Sequence, residues 1–274
     1  MKNILVPIDF SIASHAASEY AAGLARAFDA KVILINAIVP PVAIDDVAAA
    51  SLLMSEAELI EGNKNLMSKV EERISKKYAV KIETIIREAF PPDFILDMAA
   101  SKHADVIVMG MKGKGQSNSI FGSTTTTIIR KSSFPVFVIP ENAVYTSMNT
   151  ITFATDFDAD LQIKNYSLLQ ELAEKYNSSI QIINVQKSEY AMTSEDVVGK
   201  MKTDLTFSQS RHSFYTSADN NVERGIRTFL EKNPSDILAM VAHKHTFFER
   251  AFGKIHTKKM SYQTKIPLLV LQDR

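Results

Sequence analysis

The sequence predicts an α/β fold made of two tandem Rossmann-like domains, each with a parallel sheet covered by helices on both faces. Apolar runs alternate with helical stretches along the chain, and the runs are apolar at consecutive positions, as in parallel strands buried on both faces. The second half repeats the plan of the first, and 274 residues are enough for two domains.

Five apolar runs mark the predicted strands of the first half. They are Lys2–Pro7, Val32–Ile38, Val80–Ile86, Val106–Met109 and Val136–Ile139. The helical patterns between them cover Ala16–Phe28, Ser55 to about Lys77, and Pro91–Ala104. Ser55 and Glu58 have the spacing of a capping box, which favours a helix start there. For the stretch 40–50 we expect a long loop or a partial helix.

The second half opens and closes like the first. The opening strand and its acidic end, Ile4–Asp9, recur as Ile151–Asp156, and the closing strand Pro135–Ile139 recurs as Pro267–Leu271. We interpret this as a duplicated domain and place the boundary in the unpatterned segment 140–149, which gives domains of residues 1–143 and 144–274. The secondary structure of residues 186–211, which are polar and weakly patterned, stays open.

Composition narrows the classes of function. Lys plus Arg equals Asp plus Glu, 31 against 31, so no net field attracts nucleic acid or anionic lipid. The absence of cysteine excludes disulfides and thiolate chemistry and suits a reducing compartment. An early proline and acid, Pro7 and Asp9, argue against a secretory signal, and no apolar run approaches the roughly 20 residues of a membrane span. We expect a cytoplasmic protein with neither nucleic acid nor membrane as partner.

The strongest functional pattern follows the fourth predicted strand. Gly110, Gly113, Gly115 and Gly122 come in close succession, and a hydroxyl-rich segment, Ser123–Thr127, then opens a helix. Glycine lets a main-chain N–H approach a ligand oxygen, and a helix N-terminus adds unpaired N–H groups and positive dipole, so the pattern indicates phosphate binding. It matches neither the P-loop nor the dinucleotide fingerprint.

Two strand ends are expected to meet in one crevice. Asp9 ends the first strand and Gly110 ends the fourth, and ligands of open parallel sheets bind beyond the carboxyl ends of strands where the strand order reverses.

With these residues in place, the chain resembles the universal stress protein family over nearly its whole length, as a tandem pair. The resemblance implies a five-stranded parallel sheet of order 3-2-1-4-5 in each half. It also implies ATP binding through a Gly-x-x-Gly-(nine residues)-Gly-Ser/Thr motif. Here Gly110 and Gly113 match the opening, but eight residues, not nine, precede Gly122.

Carried over by this resemblance, the adenine nucleotide site has twelve residues. Asp9 and the main chain of Ala37 would meet adenine and ribose, and the glycines, Lys112 and the hydroxyls would meet the phosphates. The full set is Pro7, Ile8, Asp9, Ala37, Met109, Gly110, Lys112, Gly113, Gly122, Ser123, Thr124 and Thr125. Mg²⁺ could bind through Asp9 and phosphate oxygens.

The second half departs from the motif. Val241 and Lys244 stand where the first two glycines would be, and Phe247 and Phe248 follow. We expect this half to bind no nucleotide in the family manner and to serve as a packing partner. The resemblance further implies pairing of the two halves through Val136–Ile139 and Leu268–Leu271, and it leaves room for dimerisation of whole chains.

The same residues also have purely structural interpretations. The glycines could be only a flexible connection, and Asp9 could be only the N-cap of the following helix. His243, His245 and His256 suit a surface loop better than a metal site.

Three functions stay open. The leading one is a nucleotide-responsive stress protein, and the second is a ligand-independent interaction module that has lost ATP. The third is an adenylate-using enzyme, which is the weakest because no catalytic residues are assigned to the crevice and slow ATP hydrolysis is the most we expect.

Overall fold

A computed structural model describes residues 1–39, 56–112, 121–158, 166–186, 192–242 and 266–273. In these ranges the strands are β1 (Asn3–Pro7), β2 (Lys31–Ile38), β3 (Lys81–Glu88), β4 (Val106–Gly110), β5 (Val136–Ile139), β6 (Thr150–Ala154), β7 (Ser179–Gln186), β8 (Arg211–Ala218), β9 (Ile237–Ala242) and β10 (Leu268–Gln272). The helices are α1 (Ile12–Phe28), α2 (Glu56–Tyr78), α3 (Pro91–Ser101), α4 (Ser123–Lys131), α5 (Ser167–Tyr176), α6 (Ser194–Thr206) and α7 (Val222–Lys232).

All ten described strands belong to one sheet, in the order β3-β2-β1-β4-β5-β10-β9-β6-β7-β8. Strands within each half pair in parallel, so each half has the order 3-2-1-4-5, and the predicted α/β fold class is confirmed. The halves meet where β5 and β10 pair antiparallel, with Phe137 opposite Leu269. This arrangement places the carboxyl ends of β1 and β4 side by side.

The core lies in two layers, one on each face of the sheet. Along β1, Ile4 and Val6 join one buried cluster and Leu5 joins the other. Helices α1, α2 and α5 contribute to the first cluster, and helices α3, α4 and α7 contribute to the second. A strand covered on both sides needs apolar residues at every position, which is why the predicted strands read as unbroken apolar runs.

Equivalent positions of the two halves repeat the same local geometry. The Asn36 side chain donates from Nδ2 to the Ile8 carbonyl at 2.8 Å, and that of Asn184 donates to the Thr155 carbonyl at the same distance. Left-handed backbone recurs in matching pairs at Phe10 and Phe157 (φ 59°) and at the helix C-caps Asp29 and Asn177 (φ 51°).

The connection between the halves packs against α1 and α5. Tyr145 lies on Gly23 of α1, and its hydroxyl is hydrogen-bonded to that of Tyr176 at 2.6 Å. Its ring also meets that of Tyr20 edge-on, with centroids 5.4 Å apart. Tyr145 therefore anchors residues 140–149, which lack sequence periodicity, to α1 and α5.

Element bounds shift by a few residues from the predicted ones. Helix α1 begins at Ile12, four residues earlier than predicted, because Ser11 caps it and accepts a hydrogen bond from Ser14 N. Residues 186–211, whose secondary structure the sequence left undecided, contain α6. This helix starts in a capping box formed by Thr193 and Asp196. The predicted loop at 40–50 lies outside the described residues. No helix in the described part of the chain is long and apolar enough to cross a bilayer.

Candidate functional site

A cavity of about 500 Å³ opens at the carboxyl ends of β1, β2 and β4. This volume is in the usual range for small-molecule sites. Eleven of the twelve predicted site residues line it: Pro7, Ile8, Asp9, Ala37, Met109, Gly110, Lys112, Gly122, Ser123, Thr124 and Thr125. The twelfth, Gly113, lies outside the described residues. The structure thus brings residues up to 118 positions apart in sequence, Pro7 and Thr125, to one cavity.

Seven further lining residues were missed at the sequence level. They are Ser11, Ser14, Ile35, Val39, Pro91, Phe94 and Ile95. Ile35 and Val39 could have been found from Ala37, because every second residue of a strand faces the same side. The α3 residues could not, since no local pattern says which helix covers this edge of the sheet.

Asp9 organises the turn between β1 and α1. Its Oδ1 accepts hydrogen bonds from the main-chain N–H of Ser11 at 3.0 Å and from the Ser11 hydroxyl at 2.6 Å. The alternative in which Asp9 caps α1 is wrong, because the N-cap is Ser11 and Asp9 lies two residues before it. Asp9 therefore acts on α1 through Ser11 while it faces the cavity.

Gly110 is fitted closely to α1. A Cβ built on Gly110 would lie 2.7 Å from the carbonyl carbon and 2.8 Å from the Cβ of Ala13, far inside van der Waals contact. The close packing of β4 on α1 therefore accounts for this glycine without a ligand. This glycine also fixes the next element, because the Thr125 hydroxyl donates to the Gly110 carbonyl at 3.0 Å.

The start of α4 presents main-chain donors to the cavity. Its N-cap is Gly122 (φ −63°, ψ 161°), whose own N–H is taken by the Met111 carbonyl at 2.9 Å. The N–H groups of Ser123, Thr124 and Thr125 come next, and the first turn of a helix has no intrahelical acceptors for them. All three residues line the cavity, so these donors and the positive end of the helix dipole meet there.

Not every hydroxyl of the segment is available to a ligand. The Thr125 proton is donated to Gly110, and the Thr127 hydroxyl donates to the Ser123 carbonyl at 2.9 Å. The Thr126 hydroxyl is buried. The hydroxyls of Ser123 and Thr124 therefore remain as the donors that complement the amides.

The opposite wall of the cavity is apolar. Phe94 and Ile95 of α3 line it together with Ile35 of β2 and the exposed Val39. Arg87 at the end of β3 lies over the Phe94 ring, with its guanidinium carbon 5.4 Å from the centroid. The cavity thus has one end that offers amides and hydroxyls and another that suits a flat apolar group.

Charge in the cavity is sparse. Among the described lining residues, Lys112 is the cation and Asp9 the carboxylate. The described residues contain no cluster of three or more His, Asp or Glu side chains that could hold a metal ion by themselves. A metal here would need oxygens from a ligand in addition to Asp9. The described lining also lacks a histidine or a second carboxylate that could pair with Asp9 as an acid and base.

The second half differs from the first at the position equivalent to Gly110. The anchoring of the strand is retained, since Asp236 accepts from Thr150 N at 2.8 Å as Asp105 accepts from Asn3 N at 2.8 Å. Val241, 5% exposed, is the penultimate residue of β9 and stands where Gly110 does in the first half. The predicted departures at Lys244, Phe247 and Phe248, and the histidines 243, 245 and 256, lie outside the described residues.

The architecture and the cavity together define a Rossmann-like α/β protein with a cavity at the β1/β4 reversal of strand order. The model of the Universal stress protein family matches residues 1–140. A universal stress protein of Methanocaldococcus jannaschii is 34% identical over 140 residues, which are 50% of this chain and 81% of that protein. The chain belongs to the universal stress protein family.

One solved structure extends the fold likeness over both halves. A universal stress protein from Archaeoglobus fulgidus DSM 4304 aligns over 99% of this chain and 98% of its own, with a TM-score of 0.73 and 15% identity. A universal stress protein solved in complex with cAMP is 25% identical over 50% of this chain and 96% of its own, with a TM-score of 0.40.

Proposed function

We propose that the first half binds ATP or a related adenine nucleotide in the cavity and that occupancy regulates association in a stress response. The observation that carries the proposal is the convergence of the α4 N-terminus, Lys112 and Asp9 on one cavity. These elements come from separate parts of the chain, and a flexible connection would not require them to meet.

The phosphates are proposed to lie at the start of α4. The N–H groups of Ser123, Thr124 and Thr125 are donors without intrahelical acceptors, and an anion is the ligand they fit. The two remaining hydroxyls and Lys112 add donors and positive charge at the same end. The loop is one residue shorter than the family motif, but the α4 start is held on β4 by Gly122 N and the Thr125 hydroxyl.

The base is proposed to lie against the apolar wall. Ala37 offers main-chain groups at the end of β2, and Phe94 and Ile95 provide the flat apolar surface. Asp9 is the carboxylate that would share Mg²⁺ with phosphate oxygens. The protein supplies positioning and charge here, and bound Mg²⁺ would neutralise the phosphates.

Regulation is proposed to pass along α1. Ser11 and Ser14 at its start line the cavity. Gly23, further along the helix, contacts Tyr145 of the segment that connects the two halves. We propose that residues 1–143 and 144–274 act as an intramolecular pair across β5 and β10, with the second half as a packing partner. A nucleotide regulates association only if it binds two states of the protein with different affinity. Occupancy of the cavity must therefore change the contact between Gly23 and Tyr145 or the surface around it.

A ligand-independent interaction module is the second candidate. It is favoured by the close fit of Gly110 on Ala13 and by the internal hydrogen bonds that hold the start of α4. Each of these holds the loop ends in place without a nucleotide.

Two measurements separate the candidates. Denaturation of the freshly purified chain should release adenine nucleotide, and calorimetric titration of the emptied chain with ATP should show binding. Lys112→Glu should weaken ATP binding roughly tenfold to a hundredfold, since hydrogen bonds to charged groups contribute about 1.5–3 kcal/mol. Lys69→Glu on α2, an exposed lysine away from the cavity, is the matched control and should leave affinity unchanged. No released nucleotide and no heat with ATP would favour the interaction module.

A further inference from the structure

Helix α6 of the second half turns its apolar residues away from the sheet. Its buried positions are Gly199, Thr203 and Thr206. Its exposed positions include Val197 (45% exposed), Val198 (46%), Met201 (62%) and Leu205 (69%). This is the reverse of the usual pattern for a helix on a globular domain.

The exposed residues form one continuous stripe. At 3.6 residues per turn, positions 197, 198, 201 and 205 fall on one side of the helix, opposite to positions 199, 203 and 206. We call Val197, Val198, Met201 and Leu205 the α6 stripe. Contiguous exposed apolar surface of this kind marks interaction sites more often than scattered single residues do.

The buried face of α6 packs on the domain through small residues and hydroxyls, without large apolar side chains. The Thr203 hydroxyl donates to the Gly199 carbonyl and the Thr206 hydroxyl to the Lys202 carbonyl, both at 2.8 Å. The buried hydroxyls are thereby satisfied inside the helix, so the small face packs on the domain at no cost in unpaired donors.

The fold itself does not impose this reversal. Helix α2 occupies the equivalent place between the second and third strands of the first half. Its buried residues include Met67, Val70 and Ile74, and its exposed face carries charge, with Glu72 and Lys76 paired at 2.6 Å. The same position thus takes ordinary amphipathic packing in one half and an outward apolar stripe in the other.

We propose that the α6 stripe binds the α6 stripe of a second copy of this chain, with the two helices antiparallel about a twofold axis between Val198 and Met201. In this arrangement Val198 packs on Met201 of the partner subunit, and Met201 packs on Val198 of the partner subunit. A self-complementary surface of this kind is what a twofold dimer requires.

Charge at the edge of the stripe selects the second copy as the occupant. Glu195 and Lys202 are exposed and lie on the same flank of the stripe, two turns apart. In an antiparallel pair the same flanks face each other, so Glu195 comes beside Lys202 of the partner subunit, and the symmetry repeats this contact. The stripe has far fewer residues than the roughly 20–30 a side of a stable interface, so the dimer forms in a concentration-dependent way.

Sedimentation of the full-length chain over a range of concentrations tests the proposal. The wild type should shift with concentration from the 30.5 kDa monomer toward twice that mass. Met201→Glu should remain monomeric, and Leu66→Glu, at a 42% exposed position of α2, should dimerise like the wild type. A wild type that stays monomeric throughout, or a dimer that survives Met201→Glu, overturns the proposal.

Charge exchange tests the orientation, and cross-linking tests the place of the contact. Glu195→Lys and Lys202→Glu should each weaken the dimer, and the double variant should restore it. Because the chain has no cysteine, Met201→Cys introduces a single thiol that should give a disulfide-linked dimer under mild oxidation, and Leu66→Cys should not. No restoration in the double variant would contradict the antiparallel pairing, and equal cross-linking of the two cysteine variants would contradict contact through the α6 stripe.

Discussion

Gly110 and Ala13 are in contact so close that no side chain fits between them: a Cβ on Gly110 would come within 2.7 Å of the Ala13 main chain. This contact joins the end of β4 to the first turn of α1. Both elements also line the cavity, through Gly110 itself and through Ser11 and Ser14. The packing of the fold and the shape of the cavity therefore depend on the same glycine.

Gly110→Ala is expected to destabilise the first half by about 1–3 kcal/mol, because the added methyl forces backbone to move. Gly62→Ala is the matched control, since a Cβ at that exposed position of α2 meets nothing within 4 Å. There alanine should stabilise the helix by roughly 0.5–1 kcal/mol. Denaturant unfolding of both variants measures the difference, and an equal effect of the two would contradict the contact.

A double-mutant cycle tests the contact between Tyr145 and Gly23 of α1. A Cβ on Gly23 would lie 2.3 Å from the Tyr145 ring, so Gly23→Ala should displace the ring and its hydrogen bond to Tyr176, at a cost of about 1–3 kcal/mol. In a Tyr145→Ala background the same change should be neutral or stabilising, as alanine usually is inside a helix. Unfolding free energies of the four proteins give the coupling. A coupling of zero would show that the ring does not depend on Gly23.

His212 should make stability depend on pH. Burial lowers its pKa, but hydrogen bonds with the Asp204 carboxylate (2.9 Å) and the Ser210 carbonyl outweigh burial and hold the pKa above its usual value. A raised folded pKa means that the stabilisation is full below the unfolded pKa of about 6.5 and is lost as the pH rises through the folded value. The stability difference between wild type and His212→Gln should therefore be larger at about pH 5.5 than at about pH 9. Asp204→Asn should reduce this dependence, and a difference that grows with pH would contradict the assignment.

The strand layout and most of the cavity could be predicted from the sequence. Parallel strands buried on both faces leave unbroken apolar runs, as in β1 and β4. Cavities of open parallel sheets form at the carboxyl ends of such strands, where Asp9 and Gly110 lie. The repeat made the second half predictable by analogy with the first. Family resemblance supplied the strand order, which no local pattern encodes.

Tertiary contacts account for what the sequence missed. Helix α6 was not predicted from the sequence, because its buried face is made of Gly199, Thr203 and Thr206. Its apolar residues lie on the exposed face, unlike those of a helix that packs on a sheet. Phe94 and Ile95 were missed because the cover of a strand edge is decided by long-range packing. The N-cap interpretation of Asp9 stayed open because a short acidic turn precedes many helices, and only the placement of Ser11 as N-cap rules it out.

The most direct test of the proposed site compares two substitutions at Ser123, the first residue of α4. Ser123→Ala removes the hydroxyl and keeps the main-chain N–H, whereas Ser123→Pro removes both. Proline is well accepted at a first helical position, and Gly122 before it already has the extended conformation that proline requires. The account predicts that ATP binds Ser123→Pro about tenfold to a hundredfold more weakly than Ser123→Ala, the effect of one lost hydrogen bond to a charged group, while both variants unfold at similar denaturant concentrations. Equal ATP affinity of the two variants, or wild-type protein that binds no nucleotide at all, would contradict it.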